Sequence, residues 1–155
     1  MLGIALAWLV LVQPAGAAET ERVLIRGLAF DLERAADPTS RSAGLMFRDS
    51  IEKRGGMLFV FPDDAPRTFW MRNCLVAMDL LFLDSLGRVV AVHEMQAEPL
   101  RRPHETEADY LKRLRRYPSG AAVRFAIELR AGTAGALRLR AGSRVDLQRI
   151  PLAAR

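Results

Sequence analysis

The stretch Met78-Asp79-Leu80-Leu81-Phe82-Leu83, then Asp84-Ser85-Leu86-Gly87, then Arg88-Val89-Val90-Ala91-Val92, decides the fold class. Two apolar runs of strand length flank a short Asp/Ser/Gly turn, the composition of a β-hairpin. Strand side chains alternate, so Ala77, Asp79, Leu81 and Leu83 share one face and Met78, Leu80 and Phe82 the other. Asp79 is the one carboxylate of the first run, and a charge among apolar neighbours needs donors. Arg41, Arg48 and Arg72 are candidate partners.

Upstream, Met57-Leu58-Phe59-Val60-Phe61 reads as a buried strand that Gly55-Gly56 opens and Pro62-Asp63-Asp64 ends as a turn. Residues 68–71 form a separate extended piece. Asp37-Pro38 has the pattern of an N-cap followed by proline at the first helical position. It predicts a short helix through residues 41–47 that carries Leu45 and Met46 toward the core. Residues 23–32 alternate like a strand, with Gly27 marking a bend or bulge.

Downstream, residues 101–117 place Tyr110, Leu111 and Leu114 at helical spacing. Acidic residues come early and basic ones late, which complements a helix dipole. Pro118-Ser119-Gly120 ends that helix. Val123, Phe125, Ile127 and Leu129 then alternate as a half-buried strand. One helical turn within residues 133–139 and a last strand at Val145-Asp146-Leu147 complete the pattern.

The chain has 155 residues, half of them hydrophobic, and this suits one domain with a real core. Net charge is +5, and of 23 basic residues only Lys53 and Lys112 are lysines. These charges are scattered among acidic ones without an aromatic-and-basic platform, so no nucleic-acid partner is expected. Cys74 is the single cysteine, which rules out an internal disulfide. With only His93 and His104 beside it, a zinc site lacks ligands, and no metal or cofactor is expected. Residues 2–12 are almost continuously apolar, and Pro14 and Ala15-Gly16-Ala17-Ala18 follow. Residues 1–18 therefore read as a secretory signal with a small-residue cleavage site, and the expected location is the periplasm or cell envelope. The alternative is an uncleaved anchor, through which alone the chain would touch a membrane.

Arg41-x-x-Gly44-Leu45-Met46-x-Arg48, Gly56-Met57-x-Phe59-x-Phe61, Phe69-x-Met71-x-Asn73, Asp79, Asp84-x-x-Gly87-x-Val89, Glu128-Leu129-x-Ala131-Gly132 and Gly142 together resemble the DUF192 family of small, often exported bacterial and archaeal proteins. The resemblance implies a compact, mostly β α+β domain with a strongly curled, barrel-like sheet. On this reading residues 19–27 lead in, 28–149 form the domain and 150–155 are a tail. The sequence departs from the family pattern at Cys74, where threonine is usual, and at Ser143, where aspartate is common. The helical stretch at residues 101–118 is a third departure and looks like an insertion. The resemblance implies no catalytic residues.

The leading functional expectation is non-enzymatic binding of a small ligand or an envelope protein. The pocket would be formed by Arg41, Met46, Phe69, Trp70, Met71, Asn73 and Asp79, with the three polar groups Arg41, Asn73 and Asp79 converging beneath aromatic and methionine side chains. A second reading is a hydrolase or transferase using Asp79, with Arg41 or Arg48 holding an anion. A third is an accessory protein acting through the 101–118 insert. Each candidate also has a plainer reading: Asp79 as a structural cap or ion pair, Trp70, Met71 and Met46 as core. Cys74 is expected to be an inert buried thiol and His93 an ordinary surface histidine.

Overall fold

The structure, a computed structural model, describes residues 19–147, so the signal reading of residues 1–18 and the tail lie outside the described residues. Seven strands appear: β1 (Thr20–Ile25), β2 (Leu28–Ala35), β3 (Gly56–Phe69), β4 (Met78–Leu83), β5 (Val89–Met95), β6 (Tyr117–Arg130) and β7 (Val145–Asp146). Three short helices join them: α1 (Pro38–Ala43) between β2 and β3, α2 (Glu107–Arg113) between β5 and β6, and α3 (Thr133–Ala136) after β6. The strands form one sheet ordered β5-β4-β6-β3-β2-β1-β7. Only β2 and β3 pair in parallel, which is why a helical crossover separates them.

The sheet curls until its edges meet. Arg88 bridges to Arg144, Val89 N–H donates to the Ser143 carbonyl at 2.8 Å, and Val145 N–H donates to the Gly87 carbonyl at 2.9 Å. The curl encloses one core, to which Val23, Phe30, Leu58, Leu81, Val89, Ile127 and Val145 bring a residue from every strand. A second core lies on the outer face. There Met57, Phe59, Leu80, Phe82 and Ala126 are covered by Leu45 and Ile51 from the β2–β3 connection and by Met71 and Cys74 from the turn after β3. The domain is thus α+β and mostly β, as the resemblance implies.

Several local expectations are corrected. Residues 23–32 hold two strands, not one with a bend: Arg26 and Gly27 both take positive φ (52° and 75°), and the chain reverses there as a tight hairpin. β3 runs unbroken through Pro62-Asp63-Asp64, because a register shift between Val60 and Ala65 absorbs the proline as a bulge. α1 spans Pro38–Ala43, so it starts earlier and ends four residues before the expected end at 47; Gly44 is its C-cap, and Leu45 and Met46 follow the helix. α2 spans only Glu107–Arg113, because Thr106 caps it by accepting from Asp109 N–H. β6 is buried on both faces from Val123 to Leu129, not half-buried, since both cores press on it.

Asp79 lies on the enclosed face of β4, and Oδ2 accepts from Ala134 N–H, the first turn of α3, at 2.6 Å. This bond fastens α3 to the enclosed core, where Ala134 is buried. Replacing Asp79 with alanine strands a buried N–H, an expected loss of about 1–3 kcal/mol in urea unfolding. A variant with wild-type stability would show that the cap contributes nothing.

Candidate functional site

The outer face carries a cavity of about 400 Å³ between α1 with its following Gly44–Met46 segment, the C-terminal half of β3, and the Phe69–Cys74 turn. Its interior side is formed by Phe59, Phe61, Phe69, Cys74 and Glu128. Phe69 meets Phe59 edge-on at 4.9 Å and Phe61 at 6.4 Å, so the aromatic surface is continuous and fixed. Arg41, Arg67 and Arg72 also line the cavity.

Glu128 is the residue that the sequence reading passed over. Alternation on β6 puts it on the outer face, opposite Met57 of β3 and Leu80 of β4. β3 begins against its backbone: a Cβ at Gly56 would stand 2.1 Å from the Glu128 carbonyl oxygen, and Gly56 has φ 142°. Only glycine fits there. On the cavity side, a methyl at Gly44 would stand 3.6 Å from Phe59 Cζ and 3.9 Å from Glu128 Oε2. Glu128 is 5% exposed, and Oε2 has no hydrogen-bond partner among the described residues. Burial pushes its carboxyl up to about 8, so at neutral pH it carries its proton.

The three arginines differ. Arg41 Nη1 donates to the carbonyls of Ala36 and, at 3.2 Å, Val60, tying α1 to β3. Arg67 pairs with Asp63 and lies 4.4 Å over the Phe61 ring. Arg72 Nη2 pairs with Glu107 Oε1 of α2 at 2.6 Å. The Nε–H groups of Arg67 and Arg72 are buried without a partner among the described residues.

Of the seven sequence-predicted site residues, Arg41, Met46, Phe69 and Trp70 line this cavity. Met71 is fully buried in the outer core. Asn73 forms a turn at φ 54°: its N–H donates to Tyr110 Oη at 2.8 Å, and its carbonyl accepts from Phe47 N–H at 2.9 Å. Asn73 borders a shallower adjoining depression with Met46 and Arg72. Asp79 faces the enclosed core and does not line the cavity, so the expected convergence of Arg41, Asn73 and Asp79 does not occur. Arg48, the alternative anion holder, pairs with Glu33 at 2.7 Å. Cys74 is buried, and burial first and the neighbouring Glu128 second push its thiol up to about 12, too high for a nucleophile. His93 Nε2 lies 2.8 Å from the Pro118 carbonyl, between the Phe82 and Tyr117 rings.

The 101–118 segment backs the turn that walls the cavity. Tyr110 Oη holds Asn73, Glu107 holds Arg72, and the Arg116 guanidinium lies 4.2 Å over Trp70. Among the described residues no group of three His, Cys, Asp or Glu side chains is placed to hold a metal.

A curled, mostly β α+β domain with an arginine-lined cavity over a buried acid defines the class. The DUF192 family model, described as "Uncharacterized ACR", matches residues 21–147, and the chain belongs to that family. Two crystal structures share the fold. One, from Sinorhizobium meliloti 1021, is described as a candidate transcription regulator. It has 29% identity and a TM-score of 0.69, over 86% of this chain and 97% of that one. The other is a protein of unknown function from Novosphingobium aromaticivorans DSM 12444. It has 24% identity and a TM-score of 0.69, over 87% of this chain and 90% of that one. No curated protein matches the chain.

The buried acid makes stability depend on pH. The unfolded glutamate titrates near 4.5, whereas the folded one keeps its proton to about 8. Between those values the folded chain binds the extra proton, so stability falls as pH rises, by at most about 1.4 kcal/mol per unit, and levels off above them. Urea unfolding at about pH 5 and about pH 7.5 is expected to show this fall in the wild type and its near absence in Glu128→Gln. Equal slopes would mean that Glu128 is ionised in the folded chain.

Proposed function

We propose that the protein binds a small molecule in the cavity between α1 and the outer face of the sheet, without turning it over. One observation carries this reading: Glu128 is buried at the cavity, and its Oε2 has no hydrogen-bond partner among the described residues. Buried polar atoms are nearly always hydrogen-bonded, so an unpaired one beside a cavity calls for a ligand that pairs with it. The volume, about 400 Å³, lies within the range of small-molecule sites. The described groups do not supply a nucleophile–base pair, since Cys74 is held as a thiol and Asp79 is engaged by α3. Thr68 is exposed at the cavity and lies outside both cores. Thr68→Trp is therefore expected to fill the cavity and leave unfolding unchanged. A small molecule that co-purifies with the wild type, detected by native mass spectrometry, should be absent from this variant. Identical bound mass in both would place the ligand elsewhere, and no bound mass in either would remove the support.

The apolar run at residues 2–12 and the Ala15-Gly16-Ala17-Ala18 segment favour an envelope setting for this binding. N-terminal sequencing of the protein from its native cells is expected to begin near Glu19. Recovery of intact Met1 from a cytosolic fraction would refute export.

A further inference from the structure

We infer that the surface over the seam of the curled sheet, where β7 meets the start of β5, docks on an anionic phospholipid bilayer. This departs from the sequence expectation that only an uncleaved anchor would touch a membrane, and it is independent of the cavity. At the seam Val89 and Val145 point into the enclosed core, so their neighbours Arg88 and Arg144 point outward, directly opposite each other. Like charges in that position repel. Arg144 and Arg26 line one groove together with Leu24 and Leu86, and an adjoining one together with Arg140. Arg26 is held in place by Nη2, which donates to the Arg138 carbonyl at 3.3 Å. All four arginines are exposed, and none pairs with a carboxylate among the described residues. Asp146 is the one described carboxylate that lines either groove. Asp84, in the β4–β5 turn, directs Oδ1 to the N–H groups of Leu86 and Arg88 at 2.9 and 2.8 Å. The surface is therefore cationic.

The same surface carries apolar side chains that the fold leaves uncovered. Leu86, in the β4–β5 turn, is 72% exposed, and Leu24 is 45% exposed. Exposed apolar side chains gathered in one patch mark an interaction site. Arginines around such leucines match a bilayer surface, where anionic headgroups neutralise the guanidinium groups while a leucine enters the boundary with the acyl chains. The arginines come from the β1–β2 turn, the start of β5 and the segment before β7. A layer of mobile lipids meets charges at any spacing, whereas a single acidic peptide has to match them in register. A nucleic-acid duplex would meet the charges but lay the leucines against its phosphates. A second copy of the chain is disfavoured by charge, since a two-fold contact through this face would set the four arginines against their own copies.

The test is co-sedimentation of the full chain with vesicles of phosphatidylcholine alone and of phosphatidylcholine with about one third phosphatidylglycerol. Neutral vesicles report whatever the apolar run at residues 2–12 contributes, so the excess on anionic vesicles is the quantity read. At about 0.05 M salt the protein should bind anionic vesicles at least about tenfold more tightly than neutral ones, and at about 0.5 M the excess should vanish. The triple variant Arg88→Gln, Arg140→Gln, Arg144→Gln should lose the excess and keep its stability to urea, because these side chains are exposed and carry no hydrogen bond among the described residues. Lys53→Gln, Arg102→Gln, Lys112→Gln removes the same charge from other parts of the surface and should cost at most about twofold. Leu86→Ser should weaken binding to anionic vesicles about fivefold and leave its salt dependence unchanged. Equal losses in the two triple variants, or no loss in Leu86→Ser, would overturn the inference. So would duplex DNA or polyglutamate binding more tightly than the anionic vesicles at matched charge and salt, which would assign the surface to that polymer.

Discussion

A carboxyl group removed from water with an oxygen left unpaired is costly, and ionised it would cost far more. Glu128 sits in that state on β6, an interior strand of this sheet. β3 and β4 flank β6, the enclosed core packs on one face, and the outer core on the other. No strand edge is available to relieve it. The fold tolerates the group by leaving it protonated and by opening a cavity beside it. Gly56 is required where β3 begins against Glu128's own backbone, and Gly44 leaves the space above its carboxyl free of a side chain. The rest of the site is arranged around this one acid.

The two buried carboxyl groups of the sheet make an instructive contrast. Asp79 and Glu128 lie on neighbouring strands, and both are nearly inaccessible. Asp79 faces the enclosed core and meets a backbone N–H of α3, so it fastens one element to another. Glu128 faces the outer core and fastens nothing through Oε2. Alternation along β4 separated Asp79 from Met78, Leu80 and Phe82, and this pattern was readable in the sequence. What it could not give was which face would hold the cavity. That depends on the β2–β3 connection and the turn after β3, whose Leu45, Ile51, Met71 and Cys74 cover the outer face.

Much of the architecture was legible because it rests on local chemistry. The β4–β5 hairpin follows from its Asp/Ser/Gly turn, and the start of α1 from Asp37 and Pro38, whose cap is realised in Thr39 and Ser40 N–H bonds to Asp37. The misread segments are those where tertiary context overrides local signals. Pro62 and Pro118 punctuate loops in most sequences, yet both fall within long strands here: the register shift between Val60 and Ala65 absorbs Pro62, and Pro118 is the second residue of β6, where a strand tolerates proline. Glu128 was missed for a related reason. The alternation of Val123, Phe125, Ile127 and Leu129 suggests a strand with one wet face, and a glutamate between them then looks solvated. Only the second core, built from segments distant in sequence, turns that face inward. The one sequence clue was its place in the Glu128-Leu129-x-Ala131-Gly132 motif.

The segment around α2 braces the part of the chain that carries the cavity. Tyr110 is fully packed, and its hydroxyl both accepts from Asn73 N–H and reaches Asn73 Oδ1 at 3.4 Å. That bond meets the backbone need of a residue held at positive φ, a conformation costly for any side chain but best tolerated by asparagine and aspartate. Arg113 locks the same helix to Glu105 through two bonds and stacks on the Tyr110 ring. The turn bearing Trp70, Arg72 and Cys74 is therefore held from behind, whereas α1 across the cavity buries none of its residues and is fixed chiefly by Arg41. Across the cavity, a firmly backed aromatic wall thus faces a helix held by few side-chain contacts, and the two sides owe their positions to different parts of the chain.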